Sequence, residues 1–217
     1  MKTFKKRAKL INAFKSKGKM LDVGCAAGYF MLVMQQVGWE TFGVDLSAYA
    51  TNYAREELHL KNVFTGLLEE MPLKKNYFDL ITFWDVIEHL SDPLHELKIA
   101  HTLLKNNGLL IIETQNVNSI LARIMGKKWH HYKMLEHLYH FSLKTLRILL
   151  LKAGFDIQKI THNCAGKYVS INFIIERCER YSKTLHKLLK NLNFLKRSNL
   201  YINSFDEMII MAKKQKN

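Results

Sequence analysis

The chain has 217 residues, 48% of them hydrophobic, which suffices for one substantial core and not for two full domains. Its three cysteines, Cys25, Cys164 and Cys178, show no C-x-x-C or Cys/His spacing, and no apolar run has the length of a secretory core or a bilayer crossing; a disulfide framework, a zinc finger, standard secretion and a membrane span are therefore excluded, and a cytoplasmic protein is expected. The formal net charge of +14 fits a polyanionic partner, and it fits equally a lysine-favouring genome without one.

From Met1 to Lys19 the chain carries lysines and an arginine but no acid, and Phe4, Leu10, Ile11 and Phe14 partly fit one helical face. A basic helix over 1–18 lying against a single domain of 1–217 is expected. Met20 to Val23 reads as a short buried strand, Gly24-Cys25-Ala26-Ala27-Gly28 as a tight small-residue turn, and Tyr29 to Val37 as a helix with Phe30, Val33, Met34 and Val37 inward. The strand Thr41 to Val44 ends on Asp45, at the spacing where a doubly wound α/β fold places a carboxylate for two ribose hydroxyls. The turn lacks the third glycine of a dinucleotide fingerprint, since Tyr29 stands in its place, and this argues against NAD.

Ser47 is a plausible N-cap for a helix through Leu58, and a third strand is expected around Asn62 to Thr65. After a loop over Gly66 to Pro72, Phe78 to Phe83 is a mostly apolar strand running into Trp84-Asp85-Val86-Ile87-Glu88-His89-Leu90. Asp92 and Pro93 open a helix through Leu104, Gly108 interrupts, and Leu109 to Glu113 is a fifth strand. Ser142 caps a helix to Ala153, and Phe155 to Thr161 is the sixth strand. A long helical pattern then runs from Tyr168 to Leu192, a helical insertion at about 167–195, before a last strand over Met208 to Met211. Strands alternating with helices imply βαβ units, a parallel sheet and a crevice beyond the carboxyl ends of its strands.

The ordered set Leu21-Asp22-Val23-Gly24-Cys25-Ala26-Ala27-Gly28, Gly43-Val44-Asp45, Phe78-Asp79-Leu80-Ile81, Asp85 to Pro93, Leu103 to Leu109, and Glu136 to Ser142 through Ala153-Gly154-Phe155 resembles the successive motifs of small-molecule class I S-adenosylmethionine (SAM) methyltransferases. The branch includes quinone-biosynthesis and glycan-cluster enzymes, and the match covers roughly 19–160. The resemblance implies an α/β, Rossmann-like doubly wound, mostly parallel seven-stranded sheet with an antiparallel last strand. It implies a SAM cofactor, with S-adenosylhomocysteine as product. Asp22, Gly24, Ala26 and Gly28 would lie at its methionine moiety, Asp45 at its ribose with Leu46 alongside, Leu67 and Leu68 at its adenine, and Trp84 and Asp85 along its methionine. Two departures stand out. Ala26 replaces a frequent glycine, which is tolerable with a negative φ, and Leu67 replaces an acid that contacts the adenine amine in many relatives. The second implies adenine recognition through apolar packing and backbone groups.

Methyl transfer asks for alignment, and for proton removal when the acceptor is a hydroxyl. His89 is the best-placed base; its alternative is a histidine at the start of a helix that bonds a backbone carbonyl. Glu88 could orient His89, bind a cation or be a solvated carboxylate. Trp129-His130-His131-Tyr132 and His137-Leu138-Tyr139-His140 bring four histidines close together without an H-E-x-x-H pattern, so no metal is expected. The resemblance favours a substrate lid, with Trp129 and Tyr132 offering flat surfaces and His137 and His140 beside them; an aromatic loop packed on the sheet edge is the alternative. The expected activity is methylation of a small-molecule or lipid- or glycan-linked acceptor at oxygen. RNA modification and non-catalytic SAM binding are the alternatives, and Tyr168 to Leu192 suits either packing on the sheet or peripheral contact with an anionic membrane.

Overall fold

Unbroken apolar runs send neighbouring side chains to opposite faces of a strand, so a sheet made from them needs a helical layer on each face. The computed structural model, which describes residues 1–15, 17–72, 74–132, 135–178 and 198–215, has that form. In chain order the elements are α1 (Lys2–Asn12), β1 (Lys19–Val23), α2 (Tyr29–Gln36), β2 (Glu40–Asp45), α3 (Ala48–Glu56), β3 (Val63–Thr65), β4 (Phe78–Trp84), α4 (Pro93–Leu103), β5 (Leu104–Gln115), α5 (Ile120–Met125), α6 (Leu143–Lys152), β6 (Phe155–Thr161), β7 (Lys167–Ser170), α7 (Ile171–Cys178), β8 (Asn199–Ile202) and β9 (Glu207–Lys214). The main sheet has seven strands in the order β3-β2-β1-β4-β5-β9-β6. All neighbours are parallel except β9, which is antiparallel to both β5 and β6.

On one face Leu21, Ile81, Leu110, Ile112 and Ile210 pack with Leu97 of α4 and Leu146 and Leu150 of α6. On the other, Met20, Leu80, Leu109, Ile111 and Met211 pack with Ile11 of α1 and Phe30, Val33 and Met34 of α2. Each such side chain contributes roughly 1.5–3 kcal/mol by leaving water. Because β1 lies between β2 and β4, the strand order reverses there and opens a crevice at their carboxyl ends. Local signals fix the helix starts: the side chains of Ser47, Asp92 and Ser142 accept from the N–H groups of Ala50, His95 and Thr145, and Pro93 occupies the first turn of α4.

Four expectations are corrected. The helix expected over 1–18 ends at Asn12, and its buried face is Arg7, Ala8 and Ile11, leaving Phe14 exposed. Arg7 is inside because a buried carboxylate, Glu113, pairs with it. Helix α4 ends at Leu103, and β5 starts at Leu104 rather than after Gly108; Leu104 pairs with Phe78 before the register shifts to Leu109 opposite Leu80. The helical pattern expected from Tyr168 begins at Ile171, because Lys167 to Ser170 form a strand paired antiparallel with β8 in a separate two-stranded ribbon. The rest of that pattern, from 179 to 192, lies outside the described residues. Among the described residues, no helix is long and apolar enough to cross a membrane.

Candidate functional site

The turn after β1 is shaped by close approach. Gly24 has φ +72° and Gly28 φ +77°, and a Cβ would run into Val86 at the first and into Leu60 at the second. Gly28 therefore serves the packing of α2 and does not line the crevice. Ala26 contradicts the expectation of a negative φ: it sits at +46°, a conformation costing a residue with a Cβ roughly 1–2 kcal/mol. It is held there by Asp45, whose Oδ2 accepts from the Ala26 N–H at 2.8 Å while Oδ1 accepts from the Ser47 N–H at 2.8 Å. The Asp45 carboxylate is thus fixed at the end of β2, with lone pairs left for two neighbouring hydroxyls.

Asp22 is not at the surface of the crevice. It is buried and accepts from Thr82 Oγ1 at 2.6 Å, and burial pushes its carboxyl up to about 7. Its expected place along the methionine moiety is therefore corrected to a position beneath the turn, in the sheet.

The crevice holds two adjoining cavities. One, of about 400 Å³, is lined by Gly24, Ala26, Asp45, Leu46, Gly66, Leu67, Leu68, Trp84, Asp85, Val86, His89, Leu90 and Glu96. A fixed carboxylate, apolar walls for a flat base and small residues at the turn fit an adenosine. Glu96 also lines this cavity, and its buried Oε2 has no hydrogen-bond partner in the protein. The second cavity, of about 500 Å³, is lined by Asp85, Glu88, His89, His130, His131, Glu136, His137, Lys167, Phe173, Ile202 and Glu207 among others. Asp85 and His89 belong to both, so they stand where a donor and an acceptor would meet.

His89 Nδ1 lies 2.7 Å from the Glu136 carbonyl. A carbonyl only accepts, so Nδ1 carries the proton and Nε2 keeps a lone pair. The backbone-carbonyl bond of the alternative reading is present, and in that tautomer the other ring nitrogen keeps a lone pair. Glu88 does not provide that hydrogen bond and is not solvated. It is buried, accepts from Thr114 Oγ1 at 2.9 Å, and burial pushes its carboxyl up to about 7. Its carbonyl accepts from the N–H groups of Leu138 and Tyr139, which ties the 135–140 segment to the end of β4.

Trp129 departs from its expected role. It is 2% exposed, with its indole N–H donating to Asp206 at 2.8 Å, so it forms the base of the wall and not an open flat surface. Tyr132 is partly exposed and packs against the Trp129 and His140 rings. His137 is buried, receives Gln115 Nε2–H on Nδ1 at 3.4 Å and meets the His89 ring edge-on. His140 Nε2 reaches the His131 carbonyl at 3.3 Å. Burial, and then the neighbouring His130, push the imidazole of His131 down to about 4, which keeps it neutral.

Four charged residues at the crevice escaped the sequence reading. Lys167 Nζ bridges Asp85 Oδ2 and Glu207 Oε1, each at 2.9 Å. Burial works against the charge on Asp85, but Lys167 holds its carboxyl below the usual range. Arg7 pairs with Glu113 at 2.5 Å and lies over the Trp84 ring at 4.5 Å. The available signal was Glu113-Thr114-Gln115, three polar residues that follow the apolar run Leu109 to Ile112 in β5. Among the described residues, Glu88, His89 and His137, then His130, His131 and Asp206, and finally Asp85, Glu113 and Glu207, bring ligand-type atoms within 4.8 Å of one another. The last group encloses the Lys167 and Arg7 cations, and Asp206 is already bound by Trp129.

Residues 2–160 match the family described as a methyltransferase domain. The ubiquinone biosynthesis O-methyltransferase of Thiobacillus denitrificans is 32% identical over 157 residues, 66% of each chain. That of Cereibacter sphaeroides is 32% identical over 121 residues, 51% of this chain and 47% of the relative. The chain thus spans about half the length of several curated relatives it matches. A SAM-dependent methyltransferase from Archaeoglobus fulgidus superposes with a TM-score of 0.65 at 24% identity, covering 98% of this chain and 94% of its own. YcgJ of Bacillus subtilis does so with 0.67 at 17% identity, covering 100% and 99%. At these identities the two structures speak for the fold.

Proposed function

The chain belongs to the methyltransferase-domain family of class I SAM-dependent enzymes, and on that premise we propose that it methylates a hydroxyl of a small, lipid-soluble or lipid-linked acceptor. The observation that carries the choice of oxygen is His89, shared by both cavities and bonded through Nδ1 so that Nε2 can take a proton. A hydroxyl nucleophile needs such a base near neutral pH. Bound SAM supplies a methyl group already activated by its sulfonium. The chain's own residues then have modest tasks: Asp45 holds the ribose, Leu67, Leu68 and Leu90 flank the purine, and His89 accepts the hydroxyl proton on Nε2.

The rim of the acceptor cavity supports an apolar substrate. Phe173 and Ile202 line it, both are exposed, and Leu200 and Phe205 lie nearby in the chain with their side chains in solvent. The curated relatives named for ubiquinone biosynthesis are consistent with that choice. The test is incubation with methyl-labelled SAM and fractionated cell extract, followed by the pure acceptor. Label is expected in the lipid-extractable fraction; label confined to RNA, or no label with tight SAM binding, would overturn the proposal. With the acceptor in hand, His89→Ala should lower turnover by roughly 10²–10⁴ and leave SAM affinity unchanged. Near-normal turnover would remove His89 from the chemistry.

A further inference from the structure

Leu67 stands where many relatives of this type carry an acid for the adenine amine, which from sequence alone implies an adenine site without a charged acceptor. The structure supplies one from another element. Glu96 lies in the first turn of α4, and α4 packs against the short turn Leu68–Glu70 that follows β3. Glu96 lines the same cavity as Gly66, Leu67, Leu68 and Leu90. Its Oε2 is buried and has no hydrogen-bond partner in the protein. A buried carboxylate oxygen left without a donor costs roughly 1–3 kcal/mol or more, and such groups persist where a ligand completes them. Burial outweighs the neighbouring charges: His95, which bonds Glu69 at 2.9 Å, favours the charged form of Glu96, while Glu69 and Asp92 oppose it.

We infer that Glu96 is the residue by which this chain recognises the amino group of the adenine ring, replacing from α4 the acid that is absent at Leu67. A carboxylate only accepts, and the 6-amine of adenine donates two hydrogens, so the pairing selects an aminopurine. Burial raises the Glu96 carboxyl above its ordinary value, as expected of an acid whose donor arrives only with the ligand. The inference concerns binding alone and does not depend on the acceptor or on His89.

The test compares the Kd of S-adenosylhomocysteine with that of its analogue carrying hydrogen in place of the 6-amine, measured by calorimetry on wild type, Glu96→Leu and Glu96→Gln. Wild type should prefer the amine by about 10- to 100-fold, the range for a hydrogen bond to a charged group. In Glu96→Leu the preference should fall to about onefold, chiefly by weaker binding of the amine ligand, and Glu96→Gln should lie between. Without ligand, Glu96→Leu should melt at or above the wild-type temperature, because the unpaired buried carboxylate oxygen is gone. Equal affinity of wild type for the two ligands would overturn the inference, as would an unchanged preference in Glu96→Leu. Failure of wild type to bind either ligand would overturn the cofactor assignment together with it, whereas binding with no amine preference overturns the Glu96 assignment alone.

Discussion

Two carboxylates and one alanine at the turn after β1 show how a residue's chemistry depends on what touches it. Asp45 is fixed by two backbone N–H groups and presents its oxygens at the crevice; Asp45→Ala should abolish measurable S-adenosylhomocysteine binding at micromolar ligand in calorimetry while the protein remains folded. Asp22 is buried with Thr82 as its donor, and its folded-state pKa of about 7 stands above the ordinary 3.8. A raised pKa means that the folded state holds the proton more tightly. Its stabilising effect is therefore complete below about pH 4 and is lost as pH rises through about 7. Glu88, also raised to about 7, acts in the same direction. The Asp22 shift, from 3.8 to about 7, corresponds to about 4 kcal/mol. Denaturant unfolding should show Asp22→Asn gaining on wild type between pH 5 and pH 8, and parallel curves would remove the linkage. Ala26→Gly should stabilise the protein by about 1 kcal/mol, since glycine adopts φ +46° without a Cβ clash. A loss of stability would show that the alanine methyl packs favourably enough to outweigh the strain.

At the scale of elements, α1 meets the sheet through Arg7 as well as through the buried Ala8 and Ile11. Its partner Glu113 is fully buried at the end of β5, with Trp84 under the guanidinium. The ribbon of β7 and β8 joins the same corner. The Tyr168 N–H donates to Thr3 Oγ1, Lys6 lies over the Tyr201 ring, and Lys167 reaches from β7 to Asp85 and Glu207. Removing one partner of a buried pair leaves a charge without compensation and costs roughly 3–5 kcal/mol. Arg7→Met should therefore lower unfolding stability by that amount, and Arg7→Met with Glu113→Gln should recover most of it. If the double variant is as unstable as the single one, an unpaired Glu113 is not the source of the loss.

For the molecule as a whole, the crevice at the reversal of strand order combines one cavity whose lining suits an adenosine with an adjoining one proposed for the acceptor. Nothing in the turn after β1 offers the glycine spacing that a pyrophosphate needs. At a concentration of S-adenosylhomocysteine about a hundredfold above its Kd, the protein should gain roughly 2.7 kcal/mol of stability. Thermal melts should show this shift, and NAD at the same concentration should produce none. An equal shift with NAD would place a dinucleotide in the crevice.

What the sequence determined was local or periodic. Ser47, Asp92 and Ser142 announced helix starts because a cap is made within three residues, and the apolar runs of β1, β4 and β5 announced a sheet covered on both faces. Asp45 was legible because its place after β2 is a matter of spacing along the chain. The tertiary structure decided everything that needs two distant segments to meet. Arg7 with Glu113, Lys167 with Asp85 and Glu207, and Trp129 with Asp206 are pairs whose members look, in sequence, like a basic helix face, a lysine at the start of a helical insertion and an aromatic loop. It also decided the sign of φ at Ala26, the burial of Asp22 and the presence of Glu96 beside Leu67. Charge, burial and backbone conformation at a site are set by the field and packing of all the elements around it, and no window of consecutive residues contains them.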